Sequence, residues 1–362
     1  MPDFSAASLL DAPPFPAEGF GPLADRIARL IGTANDVLLV QGEAVIALEA
    51  VASSLAGSRL KALNIVTSPY GAWFGGWLRR GGAQVIDLAA EPGLPVTVEQ
   101  VDAALAAHRG VGLVSLVHAE SATGILNPLP EIAAIARRHG ALLAVDAVAS
   151  AGGHTFDVDA LGIDVAVIGP QKALAGPAGV SAVSVSARAW ERMTEMSAAP
   201  SALSLPYLRE SWLRAGRGAL PGMPAALEFH ALDAALGRVE QEGLPVTIAR
   251  HARAATATRS ALQALGLPLW VSAAQASNLT TGFLLPDTVD PAAFADAARR
   301  SPDITPAVGP VPAHLWRFSH TGRQAAREAV LATISALSAA LARSGHACDI
   351  AEAAGAVART YG

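Results

Sequence analysis

The sequence predicts an α/β protein, with a large unit built on a mostly parallel seven-stranded sheet and a smaller α+β unit after it. Three observations carry that expectation. Seven apolar runs, at residues 37–40, 62–67, 84–88, 112–118, 142–145, 165–169 and 179–185, alternate with helix-like runs at 44–55, 73–80, 98–107 and 130–139. The strand-like runs are apolar almost throughout, as strands covered on both faces are. After about residue 225 the texture changes to alanine-rich helical stretches with few strand-like runs.

Each element has a local reason. The first strand-like run stops at Gln41-Gly42-Glu43-Ala44, where a helix opens, and free backbone amides at such a start form an anion cup. The second stops at Pro69-Tyr70-Gly71, which suits Tyr70 as an aromatic platform at a strand end. The large unit is expected over residues 1–230. The small unit, over 231–362, follows a helix at 225–241 and holds strands near 279–285 and 315–318, a helix at 324–343 and a last helix from 351.

With 52% hydrophobic and 16% charged residues, the chain is expected to bury a large core and a subunit interface. No run of about 18 uncharged apolar residues occurs, so no membrane-spanning helix is expected. Met1-Pro2-Asp3-Phe4-Ser5 lacks a basic region and an apolar signal core, which makes the cytoplasm the expected compartment. The single Cys348 rules out an internal disulfide and a cysteine metal cluster. A net charge of −5 with scattered arginines argues against nucleic acid as a partner, and His118, His154 and His320 show no metal-like spacing. No G-x-G-x-x-G follows the first strand, which counts against a dinucleotide-binding dehydrogenase.

The chemistry is concentrated in two residues. The chain has only two lysines, Lys61 and Lys172, among 26 basic residues. Lys172 ends the run Val165-Ala166-Val167-Ile168-Gly169-Pro170-Gln171-Lys172, a place where arginine would serve a mere charge equally well. A Schiff base needs an amine that can lose its proton, and only lysine supplies one. Asp146 ends the apolar run Leu142-Leu143-Ala144-Val145, at the strand end where α/β proteins bind ligands. A lysine for an aldehyde and an acid for a pyridine nitrogen are the two protein groups that pyridoxal chemistry needs. Snorkelling of Lys172 and helix capping by Asp146 are the plainer alternatives.

These stretches, Val145-Asp146-Ala147-Val148-Ala149-Ser150-Ala151-Gly152-Gly153, Gly162-Ile163-Asp164-Val165 and Gly169-Pro170-Gln171-Lys172-Ala173-Leu174, resemble the class V aminotransferases. His118-Ala119-Glu120-Ser121-Ala122-Thr123-Gly124 and Trp316-Arg317-Phe318-Ser319-His320-Thr321-Gly322 extend the resemblance, which runs from about Gln41 to Thr321. It implies a fold type I enzyme dependent on pyridoxal 5'-phosphate, a homodimer, and transfer of an amino group between alanine or serine and glyoxylate or pyruvate. It further implies that Lys172 forms the Schiff base and shuttles a proton, that Asp146 partners the ring nitrogen, and that Val148 and Tyr70 cover the ring faces. Ser121, Thr123 and Gln171 would complete the cofactor site with Gly42, Glu43 and Ala44, and Arg317 would hold the substrate carboxylate.

Four departures bear on the phosphate and the substrate. The cup holds Glu43 where the family commonly has serine, threonine or histidine. A carboxylate repels a phosphate dianion but accepts a hydrogen bond from a hydroxyl. The Tyr-x-x-Thr-Pro segment expected from a neighbouring subunit matches Leu220-Pro221-Gly222-Met223-Pro224, which has neither hydroxyl. No second arginine stands in residues 305–314, and the amino-terminal arm is short. Gly42-Glu43-Ala44-Val45-Ile46-Ala47-Leu48-Glu49-Ala50 is similar to the pyridoxamine–pyruvate transaminase subgroup, which takes free pyridoxamine as substrate. A lyase of the cysteine desulfurase branch and a non-catalytic scaffold of the same fold stay open as alternatives, although Cys348 is poorly placed for the first.

Overall fold

The computed structural model describes residues 12–193, 200–299 and 301–362. The amino-terminal stretch at residues 1–5, read above for a signal, lies outside them. The strands of the large sheet are β1 (Asp36–Val40), β2 (Lys61–Val66), β3 (Gln84–Ala89), β4 (Leu113–Val117), β5 (Leu142–Asp146), β6 (Val165–Ile168) and β7 (Ser181–Val185). Their order across the sheet is β1-β7-β6-β5-β4-β2-β3. From β3 through β2, β4 and β5 to β6 every pairing is parallel, whereas β7 runs antiparallel to both β6 and β1. The sheet is therefore mostly parallel and seven-stranded, as the apolar runs predict. Strands β4 to β7 are buried along their whole length, which is why they read as unbroken apolar segments.

Helices α1 (Phe20–Leu30), α2 (Ala44–Leu55), α3 (Pro69–Arg80), α4 (Val98–Ala107) and α5 (Leu129–Arg138) belong to this unit. Helix α3 starts earlier than the expected residue 73. Ser68 caps it, accepting a bond from the Tyr70 amide, and Pro69 occupies the first turn, where its missing N–H costs nothing. Gly71 lets α3 lie close on β2, because a Cβ there would stand 2.8 Å from the Ile65 carbonyl oxygen. The early start carries Tyr70 inside the helix rather than on the loop before it.

The small sheet has β8 (Thr280–Leu284), β9 (Ile304–Pro306) and β10 (Leu315–Ser319) in the antiparallel order β8-β10-β9. The helix expected at 225–241 is Ala226–Glu242, and beyond Gly243, with φ of +87°, a second helix, Leu244–Ala264, follows it. Its alanine-rich sequence carries too little contrast between faces to mark it as separate. The helix expected from 324 starts at Arg327, because Gly322–Ala325 is a tight 3₁₀ turn. Helix Pro291–Ala298 and β9 were not expected from the sequence. One large apolar cluster spans Phe20 to Val239 and a second spans Ala254 to Val357. Among the described residues no helix is long and apolar enough to cross a membrane.

Candidate active site

The parallel strands deliver their carboxyl ends to one edge of the sheet. Asp146 is the last residue of β5, in register with Val117 of β4 and Val167 of β6. Lys172 lies on the turn after β6. Together with Glu43, Ala44, Tyr70, Ser121 and Val148 they line a cleft of about 300 Å³. The sequence brings these residues from five separate stretches of chain, so only the sheet order makes them neighbours.

Asp146 is nearly buried, and its Oδ1 accepts a 2.9 Å bond from the Val148 amide. Burial pushes its pKa up to about 6, with the Val148 N–H and the Lys172 charge pulling it back. The ammonium of Lys172 is driven below its usual range, first by burial and then by the Arg317 charge, while Glu43 and Asp146 oppose that. A lowered amine and a raised acid facing one cleft are the pattern expected of a proton-transfer site. The turn that carries the lysine is held from behind. Ala175 takes φ of +51° with its amide donating to the Lys172 carbonyl, and Gly322 packs so close that a Cβ would stand 2.8 Å from the Ala175 Cβ.

Tyr70 leans edge-on against Trp73, one helical turn further, with ring centroids 5.3 Å apart at 83°. Trp73 also lines the cleft, although the sequence reading passed over it. Its spacing from Tyr70 on one helix face was the available signal. Val148 stands on the cleft wall two residues after Asp146.

The helix start is already occupied. Glu43 caps α2, its Oε2 accepting from the Val45 amide at 2.8 Å and its Oε1 from Gln171 Nε2 at 2.7 Å. The capping reading and the anti-phosphate reading of Glu43 thus describe one arrangement. The Val45 amide, at the start of the cup, faces a carboxylate, and the Gln171 amide is spent on that same carboxylate. Gln171 Oε1 is buried without a donor among the described residues. Asp146, Val148, Tyr70 and Lys172 are the lining residues that would hold a pyridoxal ring, whereas the Glu43 carboxylate opposes a phosphate dianion in this cup. Gly42 contributes its carbonyl, which accepts from Ser181 Oγ at 2.9 Å, and Gln41 Nε2 ties the segment of Met223 to the same corner through the Pro221 carbonyl.

Arg317 sits in β10 with no carboxylate partner among the described residues, so an internal salt bridge does not explain it. Its Nε donates to Thr305 Oγ1 at 2.8 Å and its Nη1 to the Ser121 carbonyl at 2.7 Å. Those two bonds fix the fork beside the cleft. In the loop before it, Val308, Pro310 and Val311 form an apolar wall with Pro69 and Trp270 around a neighbouring cavity of about 210 Å³. Thr123 faces that cavity, not the cleft with Ser121. His118, His154 and His320 are buried, and burial holds them neutral with pKa values of about 4, 3 and 3. Among the described residues no three histidine, cysteine or acidic side chains are grouped to hold a metal.

Residues 21–327 match the family model described as Aminotransferase class-V. The pyridoxamine–pyruvate transaminase of Mesorhizobium japonicum is 33% identical over 328 residues, covering 89% of this chain and 83% of that protein. The crystal structure of pyridoxamine–pyruvate aminotransferase from Mesorhizobium loti superposes with a TM-score of 0.88 at 31% identity, covering 100% of this chain and 91% of the other. That of an alanine–glyoxylate aminotransferase from Nostoc superposes with a TM-score of 0.85 at 27% identity, over 94% and 93% of the two chains.

Proposed function

The chain belongs to the class V aminotransferases, pyridoxal-dependent enzymes that move an amino group between an amino acid and a keto acid, and we propose that its amine carrier is a B6 vitamer without the phosphate. The observation that carries this reading is the Glu43 carboxylate on the first amides of α2, locked to Gln171. A hydroxymethyl group can donate to that carboxylate, while a phosphate meets like charge. Free pyridoxamine would then be the amino donor and pyruvate or glyoxylate the acceptor. The identity shared with a pyridoxamine–pyruvate transaminase supports the same choice.

A pyridoxal ring bound here supplies an electron sink when its nitrogen stays protonated. The side chains around it have separable tasks. Asp146 holds the proton on that nitrogen from the end of β5. Lys172 Nζ, with its pKa lowered by burial, offers a neutral amine to the aldehyde carbon and moves a proton at the substrate Cα. Arg317, preset by Thr305 and Ser121, binds the carboxylate of the keto acid in two-point fashion and so fixes the face of the α carbon that receives the proton. Tyr70 and Val148 keep water from the ring faces. Met223, 93% exposed, and Trp73, 45% exposed, leave apolar surface near the cleft rim that a second copy of the chain would cover, giving a homodimer measurable by sedimentation.

The test is visible absorbance during separate titrations with pyridoxal and with pyridoxal phosphate. The expected result is a saturating band with pyridoxal and a weak response to the phosphate ester. A tighter band with the phosphate ester would return Glu43 to the role of a helix cap alone.

A further inference from the structure

Glu120 is fully buried on the loop after β4, and nothing so far gives it a task. Its Oε1 accepts from the Thr67 hydroxyl, whose oxygen in turn accepts from Asn127 Nδ2 at 2.9 Å. Its Oε2 is buried with no partner. No arginine, lysine or histidine pairs with Glu120 among the described residues. A carboxylate so placed would be a buried anion with no cation, beside the carboxylate of Asp146. A carboxylic acid with one idle O–H is by far the smaller penalty. Glu120 therefore holds a proton.

The position of this group matters for three parts of the cleft. Ser68, next to the Thr67 that bonds to Glu120, accepts from the Tyr70 amide and starts α3. The Glu120 amide and carbonyl close the loop on Ile125 and Gly124, at 2.7 and 2.9 Å. The next residue, Ser121, presents the carbonyl that orients Arg317.

We propose that Glu120 is a positioning residue, kept as a neutral carboxylic acid, that ties the Tyr70 helix to the Ser121 loop and leaves the negative charge of the inner wall to Asp146. Its neutrality has a limit. Burial raises its pKa to about 8, the Ser68 and Thr67 hydroxyls pull it back, and the Asp146 charge pushes it further up. The groups facing it from the surrounding elements are the anion Asp146, the neutral His118, and the uncharged Thr67, Ser68 and Asn127. None of them can neutralise a second anion, so raising the pH above about 8 leaves an unpaired charge in this wall and should admit water between the Tyr70 helix and the Ser121 loop. The consequence for binding rests on the proposed roles of Tyr70, Asp146 and Arg317, whereas the protonation state does not.

The experiment compares the full-length protein with its Glu120→Gln and Glu120→Ala variants. Infrared spectra of the ligand-free chain should show a carboxylic-acid carbonyl band at pH 7 that fades near pH 8 and is missing in Glu120→Gln. Pyridoxal affinity should fall between pH 7 and 9 more steeply in the wild type than in Glu120→Gln, which shares the titration of Lys172 but lacks this acid. At pH 7 the Gln variant should stay within about twofold of wild type in KM and kcat, while Ala raises KM for the keto acid roughly tenfold through the freed Ser121 loop. If the Ala chain does not fold, the Gln variant and the infrared band decide alone. A missing band, a band untouched by Glu120→Gln, or a Gln variant as impaired as Ala overturns the proposal. A wild type that shows the band but binds no pyridoxal supports the neutral acid and removes the vitamer reading instead.

Discussion

Replacing Glu43 with serine isolates the charge at the cup. Serine keeps an N-cap, so the loss in helix stability stays within a few tenths of a kcal/mol. The replacement removes the carboxylate and frees the Gln171 amide, now bonded to Glu43 at 2.7 Å, to donate elsewhere. A phosphate placed at the α2 amides would lie about 4 Å from the Glu43 carboxylate. At that separation one pair of unit charges costs ~1 kcal/mol in water and ~4 kcal/mol at a protein surface. A phosphate ester carries ~1.5 to 2 negative charges at neutral pH. Glu43 is exposed on its outer side, which favours the low end, about 2–3 kcal/mol.

That penalty corresponds to roughly 30- to 150-fold in affinity. Wild-type and Glu43→Ser proteins are titrated with pyridoxal and with its phosphate, and the ratio of the two dissociation constants is compared. The ratio should move toward the phosphate ester by about that factor, and by less at high salt, since an exposed pair is screened. A ratio unchanged within about twofold at low salt would show that Glu43 does not select between the vitamers, and the cup argument would fail with it.

Other expected outcomes follow from the same geometry. Lys172→Ala should abolish both the visible band and turnover, and full transamination by that variant would remove Lys172 from the chemistry. Arg317→Ala should raise KM for the keto acid about 30- to 150-fold, the worth of a charge-assisted pair, with little change in pyridoxal affinity; steady-state kinetics that show the reverse split would place Arg317 on the vitamer instead. In acid, His118, His154, His251 and His320 stay neutral down to about pH 4, 3, 4 and 3, below the ~6.5 of an unfolded chain. The unfolded state therefore binds up to four more protons near pH 5, and stability is lost as pH falls. Asp146 and Glu120, raised to about 6 and 8, are protonated in the native state at that pH and oppose the trend. About two protons remain, or roughly 3 kcal/mol lost per pH unit near pH 5, read as a falling urea midpoint. A midpoint flat from pH 6 to 5 would mean that these histidines are not neutral in the native state.

Features that depend on one stretch of chain were legible. Buried parallel strands read as apolar runs, and Asp146 and Lys172 each stand where such a run stops. What escaped depends on contacts between distant stretches. Thr123 belongs to the same motif as Ser121, yet faces a different cavity because Trp270 and Val308 of the other unit close over it. Glu120 lies in a quoted motif, but its state depends on Thr67, 53 residues earlier. Start signals were present and underweighted in α3, where Ser68 and Pro69 mark the cap and first turn. In Leu244–Ala264 the alanine content hid the face that packs, so propensity ran on without a visible boundary.

The charges of the cleft support the proposed carrier on grounds independent of the cup's shape. Four ionisable groups bear on the cleft, since Lys172 feels Arg317, Glu43 and Asp146, and Asp146 feels Lys172 and Glu43 in turn. With Lys172 neutral, as its role requires, Glu43 and Asp146 outnumber Arg317 by one negative charge. A neutral Glu120 keeps that balance, and an ionised one would make it more negative still. A protonated ring nitrogen adds one positive charge and a keto-acid carboxylate one negative charge, so a free vitamer and its acceptor leave the balance unchanged. A phosphate ester would add nearly two negative charges, while among the described residues that line the cleft Lys172 is the one basic side chain. Sites that bind a phosphate ester meet it with donors and positive charge. This cleft places the Val45 and Gln171 amides against its own Glu43 carboxylate, an arrangement that supports the proposal of a hydroxyl rather than a phosphate at this corner.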